Sequence, residues 1–227
     1  MLLVWDRAAS AGPVGGYDRV EFARYFTSGL VVRQLTAAWI VWELNNQIRM
    51  GQLSPALLKP IHPLAFRVAE NLVALPFRVV VLVPLVVGLW LWRPEMGIGL
   101  ALRDVPLLCF SIAVAWAMNF AAQVAFGSLA FFLQSSLGVF DVWFALWALL
   151  SGYLFPLSLL PEPYASIVHV LPFRGMLAVP VEIGAGQLTG TDALAAVGLQ
   201  VAWCAVLMLA GRALWNAGVR RYEAYGA

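Results

Sequence analysis

Residues 68–92 read VAENLVALPFRVVVLVPLVVGLWLW. A bilayer core about 30 Å thick is crossed by about 20 mostly apolar helical residues, and this stretch is long enough to do so. It contains Pro76 and Pro84, which a membrane helix tolerates as kinks when neighbouring groups satisfy the freed carbonyls. The expectation is one bent helix.

Four further stretches qualify, at about 21–42, 105–127, 138–159 and 192–215, making five expected spans with the termini on opposite sides. In the first, Tyr25 and Phe26 lie near one end and Trp39 and Trp42 near the other, where amphipathic rings favour the headgroup level. Composition agrees, since 62% of the 227 residues are hydrophobic and 11% are charged, against about 25% charged in a soluble domain. The fold class is therefore an all-α integral membrane protein, a polytopic helical bundle forming one transmembrane domain over 1–227.

A net charge of +2 without a basic run gives no reason to expect nucleic acid as a partner. Cys109 and Cys204 sit in apolar stretches without a CxxC spacing, so neither a disulfide framework nor a zinc site is indicated. The apolar run before Asp6 is too short for a signal peptide. Basic residues divide six against six between the two sides and leave orientation open.

Two connecting segments have a character of their own. Residues 43–63 form a polar loop in which Ser54 and Pro55 read as an N-cap and first helical residue, with Pro60 ending the short helix. Residues 156–191 are too rich in Pro and Gly to span. Tyr164, Ile167, Val168 and Leu171 nevertheless recur there at helical spacing, which predicts a short helix at the interface or dipping into the membrane.

Chemistry-bearing motifs are few. No GxxxxGK[ST] phosphate loop occurs, so any ATP that drives the protein is bound by another polypeptide. His62 and His169 lie in separate segments without an HExxH pattern, and enzyme readings start low. Arg33 falls near the middle of the first expected span, where a charge costs about 2.5–3.5 kcal/mol on insertion scales. A pathway role and a structural ion pair are balanced readings for it. Ser111, Ala115, Asn119, Gln123 and Gly127 recur every fourth residue and make a small, polar ridge. Helix packing is the default there and a substrate-facing role the lesser reading.

Three stretches then resemble the ABC-2 type transporter permeases, in particular the bacterial branch of ABC-2 family transporter proteins. The first is Val32, Arg33, Gln34 and Leu35, then Trp42 and Glu43, then Arg49, Gly51, Leu53, Ser54, Leu57, Leu58, Pro60, His62 and Pro63. It is similar to the family's first cytoplasmic loop. The second is Ser151, Gly152, Pro156, Leu157, Pro161, Pro163, Leu171, Pro172, Phe173, Pro180, Glu182 and Gly186, similar to an extracytoplasmic re-entrant hairpin. The third is Trp215, Gly218, Arg220, Arg221, Tyr222 and Gly226, similar to the branch's cytoplasmic end.

The resemblance implies a multi-pass permease subunit of an ATP-binding-cassette exporter in the bacterial inner membrane. Two copies of an ATPase subunit would bind ATP and Mg, and a second permease, identical or homologous, would complete the path. Glu43, Arg49, Gly51, Leu53, Ser54, Leu57, Leu58 and Pro60 would serve ATPase coupling, with Arg33, Asn119, Gln123 and Glu182 as pathway or packing candidates. The family has six spans where five are expected here: only Met1 to Trp5 would correspond to the last turn of its first transmembrane helix, which leaves open a start short of the real one or a protein that does without that helix. A secondary transporter or channel is the alternative.

Overall fold

The computed structural model describes residues 4–5, 7, 12–92, 94 and 99–222. Gly226 of the tail and Met1 to Leu3 lie outside them. Every named element among the described residues is helical. In chain order the α-helices are α1 (Arg19–Thr36), α2 (Val41–Arg49), α3 (Ser54–Leu57), α4 (Pro63–Trp92), α5 (Val105–Ser128), α6 (Leu137–Leu150), α7 (Tyr164–Val170), α8 (Pro172–Met176), α9 (Ala178–Gly184) and α10 (Gly190–Val219).

Three stretches of helix are long and apolar enough to cross a membrane: Pro63–Trp92, Leu102–Phe131 and Gly190–Val219. They coincide with the expected spans at 68–92, 105–127 and 192–215, and make this a membrane-type helical protein. Two expected spans differ. The stretch 21–42 is not one helix: α1 ends at Thr36, and α2 begins at Val41 after a break. The stretch 138–159 is α-helical only to Leu150, with a 3-10 turn at Leu157–Leu159, because the chain turns at Gly152, whose φ of +82° favours glycine.

The closest pairing is α5 with α10, and the two run in the same direction. Gln200 of α10 donates to the Ser111 carbonyl of α5 at 2.9 Å and accepts the Ser111 hydroxyl at 2.9 Å. Near the other end, a Cβ added to Gly211 would lie 3.1 Å from the Ala121 carbonyl oxygen. A residue without a side chain allows that approach between backbones, as small residues do in membrane helix pairs.

Each end of this pair carries an apolar cluster. At one end Val179 and Ile183 of α9 pack with Ala193, Ala196 and Val197 of α10. At the other, Ile40, Leu44, Ile48 and Leu53 pack with Ala130 and Trp215. Between them Tyr25, Val32, Met118, Trp147, Phe173 and Met176 form the central core.

Helix α1 starts from a capping box, in which the Asp18 carboxylate accepts the Glu21 N–H at 2.7 Å and Glu21 accepts the Asp18 N–H at 3.0 Å. Just before it, the Tyr17 hydroxyl donates to Gln187 and accepts from Ser158. Burial raises this phenol above its ordinary pKa, which keeps it a neutral donor.

The segment after α6 folds back into the bundle. The Gly175 carbonyl accepts from Gln200 at 2.8 Å and the Met176 carbonyl accepts from Asn119 at 3.1 Å. Asn119 lies past the midpoint of α5, so α8 sits well inside the length of the bundle. The short helix expected around Tyr164 to Leu171 is α7, which precedes this turn.

Candidate functional site

Helices α2 and α3 meet at a turn whose Gly51 has a φ of +71°, a conformation that costs a side-chain-bearing residue energy. Leu53 is fully buried in the cluster with Leu44 and Ile48. Ser54 is the first residue of α3 and makes no side-chain capping bond, so the expected cap is displaced by one residue to Leu53. Glu43, Arg49 and Pro60 are exposed, while Leu57 packs partly onto the cluster. Met50, Leu58 and Ile61 present 65%, 88% and 61% of their surface. These three apolar side chains are exposed alongside Arg49, Gln52 and Lys59, on a turn fixed from beneath by Leu53.

The join between α1 and α2 is held from α5. Gln123 accepts the N–H groups of Ile40 at 2.8 Å and Val41 at 3.4 Å, and its amide donates to the Ala38 carbonyl. Nearby, the Ala37 carbonyl accepts from Arg78 of α4 at 2.5 Å. Backbone groups that would otherwise be orphaned by the break are thus satisfied by side chains.

Two more contacts fix α2 to the bundle. A Cβ at Gly127 would lie 2.8 Å from Leu44 Cδ2, so α2 rests directly on the α5 backbone. Asn45, which is buried, accepts both the N–H and the hydroxyl of Ser136 just ahead of α6. From α4, Arg67 pairs with Glu43 of α2 at 2.6 Å and with Glu70 at 2.5 Å.

Because α1 ends early, Arg33 lies in its last turn rather than mid-helix. Its guanidinium donates to the Tyr153 hydroxyl at 2.6 Å and its Cζ sits 4.5 Å from the Tyr153 ring centroid, a cation–π geometry. Glu182 of α9 pairs with Arg174 of α8 at 2.7 Å, with both side chains largely buried. The ridge residues all meet protein: Ser111 meets Gln200, Asn119 meets α8, Gln123 meets the break and Gly127 meets Leu44. Arg33, Asn119 and Gln123 also line one cavity, from which Glu182 is absent.

The sequence pattern of the family described as ABC-2 family transporter protein matches residues 2–226. The chain belongs to the ABC-2 transporter family. This makes it a membrane transport component, a permease that is not itself catalytic, and the family implies partnership with an ABC ATPase subunit. No curated protein and no solved structure matches the chain.

In this ABC-2 chain several residues matter that the sequence did not single out for the site. Arg67 stands three residues before Glu70, within pairing reach on one helix face, but its bond to Glu43 joins two separate helices. Leu44 and Asn45 carried a signal in the amphipathic pattern of residues 41–49, whose buried positions are Val41, Leu44, Asn45 and Ile48. Tyr153 carried none, because its partnership with Arg33 spans 120 residues.

Proposed function

We propose that the chain is the membrane subunit of an ATP-driven exporter, and that the α2–α3 turn is where its ATPase subunit pushes. The observation that carries this reading is the two-sidedness of the turn. Outward it exposes Met50, Leu58 and Ile61 beside Arg49 and Lys59, large apolar and basic side chains open to a partner. Inward it is fastened to α5, α6 and α4 through Leu44, Gln123, Asn45 and Glu43.

On this reading the turn faces the cytoplasm of a bacterial cell and the segment from Pro156 to Thr191 is a re-entrant hairpin on the outer side. Two ATPase subunits bind ATP and Mg, and a second permease, identical or homologous, faces this one across the path. Closure of the ATPase pair moves α2, and α5 follows because the two are in contact. ATP shifts this equilibrium only through its different affinity for the two states. The fastening of α2 to the long helices supports this reading over a channel or secondary transporter, which needs no such surface.

The test is affinity purification of the tagged chain from native membranes, with ATPase activity of the eluate. A subunit carrying a phosphate-binding loop is expected with the wild type and is expected to be lost with Leu58→Asp/Ile61→Asp in a chain that still inserts. Recovery of the chain alone from wild-type membranes would remove the ATPase from the reading.

A further inference from the structure

Arg33 stands in a wall shared by two cavities. One, of about 80 Å³, is lined on its far side by Trp42, Phe140, Trp143 and Trp147. The other, of about 530 Å³, is bounded by Tyr25, Phe26, Leu89 and Tyr153. Arg33, Ala37 and Trp39 belong to both linings. Neither lining contains an Asp or Glu, and among the described residues Arg33 forms no ion pair. Tyr153 takes one N–H of its fork.

Arg33 is exposed on the described chain and opens onto both cavities, so its charge is available to a ligand. The fold pairs Arg67 with Glu43 and Glu70 and Arg174 with Glu182, and gives Arg78 only the Ala37 carbonyl. At Arg33 it supplies an aromatic ring and a phenol, which shield the charge without neutralising it. An aromatic box alone would suit a cation, but the fixed positive charge repels one. Apolar walls around a guanidinium complement an anion attached to an apolar body, because carboxylate and phosphate oxygens match the planar fork. The larger cavity falls within the range of about 300–1,000 Å³ usual for small-molecule sites.

We infer that Arg33 and the walls on either side of it bind the transported molecule, and that this molecule is a single-chain amphipathic anion, a carboxylate or phosphate monoester on an alkyl or aryl tail. The inference rests on the permease reading for the word transported. The binding site itself is tested without any ATPase, so its failure and that of the exporter reading are separable.

The full chain in nanodiscs of zwitterionic phosphatidylcholine is titrated with doxyl-labelled stearic acid at alkaline pH, and in parallel with its methyl ester. Of the 10 tryptophans that report quenching, Trp39, Trp42, Trp143 and Trp147 line the cavities, so the difference between acid and ester, not the total quenching, is the readout. The acid is expected to saturate at a concentration roughly tenfold below the ester, as one charge-assisted contact would give. Arg33→Gln is expected to abolish the preference, Arg33→Lys to keep part of it, and Tyr153→Phe to keep it. Equal quenching by acid and ester on the wild type overturns the inference, as does a preference that persists in Arg33→Gln. The wild-type comparison decides even if the glutamine variant fails to fold. Mixing an anionic diacyl lipid into the disc then separates sources: displacement of the probe assigns the site to a bilayer lipid headgroup, and undisturbed quenching assigns it to a free single-chain acid.

Discussion

Gln123 accepts the N–H of Ile40 across 83 residues of sequence, at 2.8 Å and out of reach of solvent. Its amide oxygen stands where the preceding turn of a continuous helix would have supplied the Thr36 carbonyl. Gln123→Leu preserves size and removes both functions, leaving the Ala38 carbonyl and the Ile40 and Val41 N–H groups to find other partners. An unsatisfied buried group costs about 1–3 kcal/mol, and each kcal/mol lowers Tm by about 2–4 °C in a chain of this length. A fall of several degrees in a detergent melt is expected, with Gln123→Glu intermediate because it keeps the acceptor. An unchanged Tm for the leucine variant would show that the break is held by something else.

Gly127 and Leu44 are expected to behave as one contact. Gly127→Val places a branched side chain where Leu44 already lies, and should destabilise by about 1–3 kcal/mol. Leu44→Ala in the same chain should restore part of that loss, giving a coupling energy of about 0.5–3 kcal/mol in a double-mutant cycle. Additive losses would mean that α2 and α5 do not press on each other.

Arg67 should separate stability from coupling. It is 11% exposed while its partners Glu43 and Glu70 are 51% and 43% exposed, so solvent screens the pair and its contribution is held to about 1 kcal/mol or less. Arg67→Gln is therefore expected to melt within about 4 °C of the wild type. On the exporter reading it should still recruit the ATPase subunit but transport less per ATP hydrolysed. Full transport by this variant would remove α4 from the coupling route.

Gln200 is buried between Ser111 and Gly175 and makes three hydrogen bonds. Gln200→Leu should loosen α8 from the α5–α10 pair. Cys204, one turn further along α10 and buried, provides the readout in a Cys109→Ser background. Its maleimide labelling in detergent should accelerate in Gln200→Leu, and an unchanged rate would mean that α8 is retained by its apolar packing alone.

Much of the architecture was legible because hydropathy is a local signal. The helices at Pro63–Trp92, Leu102–Phe131 and Gly190–Val219 each announce themselves within their own residues. The end of α1 does not, since Thr36 to Val41 contain neither Pro nor Gly. Helix there is displaced by polar groups from α4 and α5, Arg78 and Gln123, which no window around residue 38 contains. The end of α6 was readable in principle, because Ser151 and Gly152 form a helix-stop signal that the continuing apolar run outweighed. Within the site, the ridge on α5 was visible as a pattern. What each member touches depended on α2, α8 and α10 arriving beside it.

Helix α4 has 30 residues, a length of about 45 Å against a hydrocarbon layer of about 30 Å, and only 6% of its most apolar window is covered by the rest of the chain. Its attachments through Arg67 to Glu43 and through Arg78 to Ala37 lie in its second turn and at its middle. A rod longer than the layer that surrounds it meets that layer by tilting, within what its packing against neighbouring helices allows. A change in bilayer thickness therefore bears on the angle of α4, and through Arg67 it reaches the same surface on which a motor protein would act.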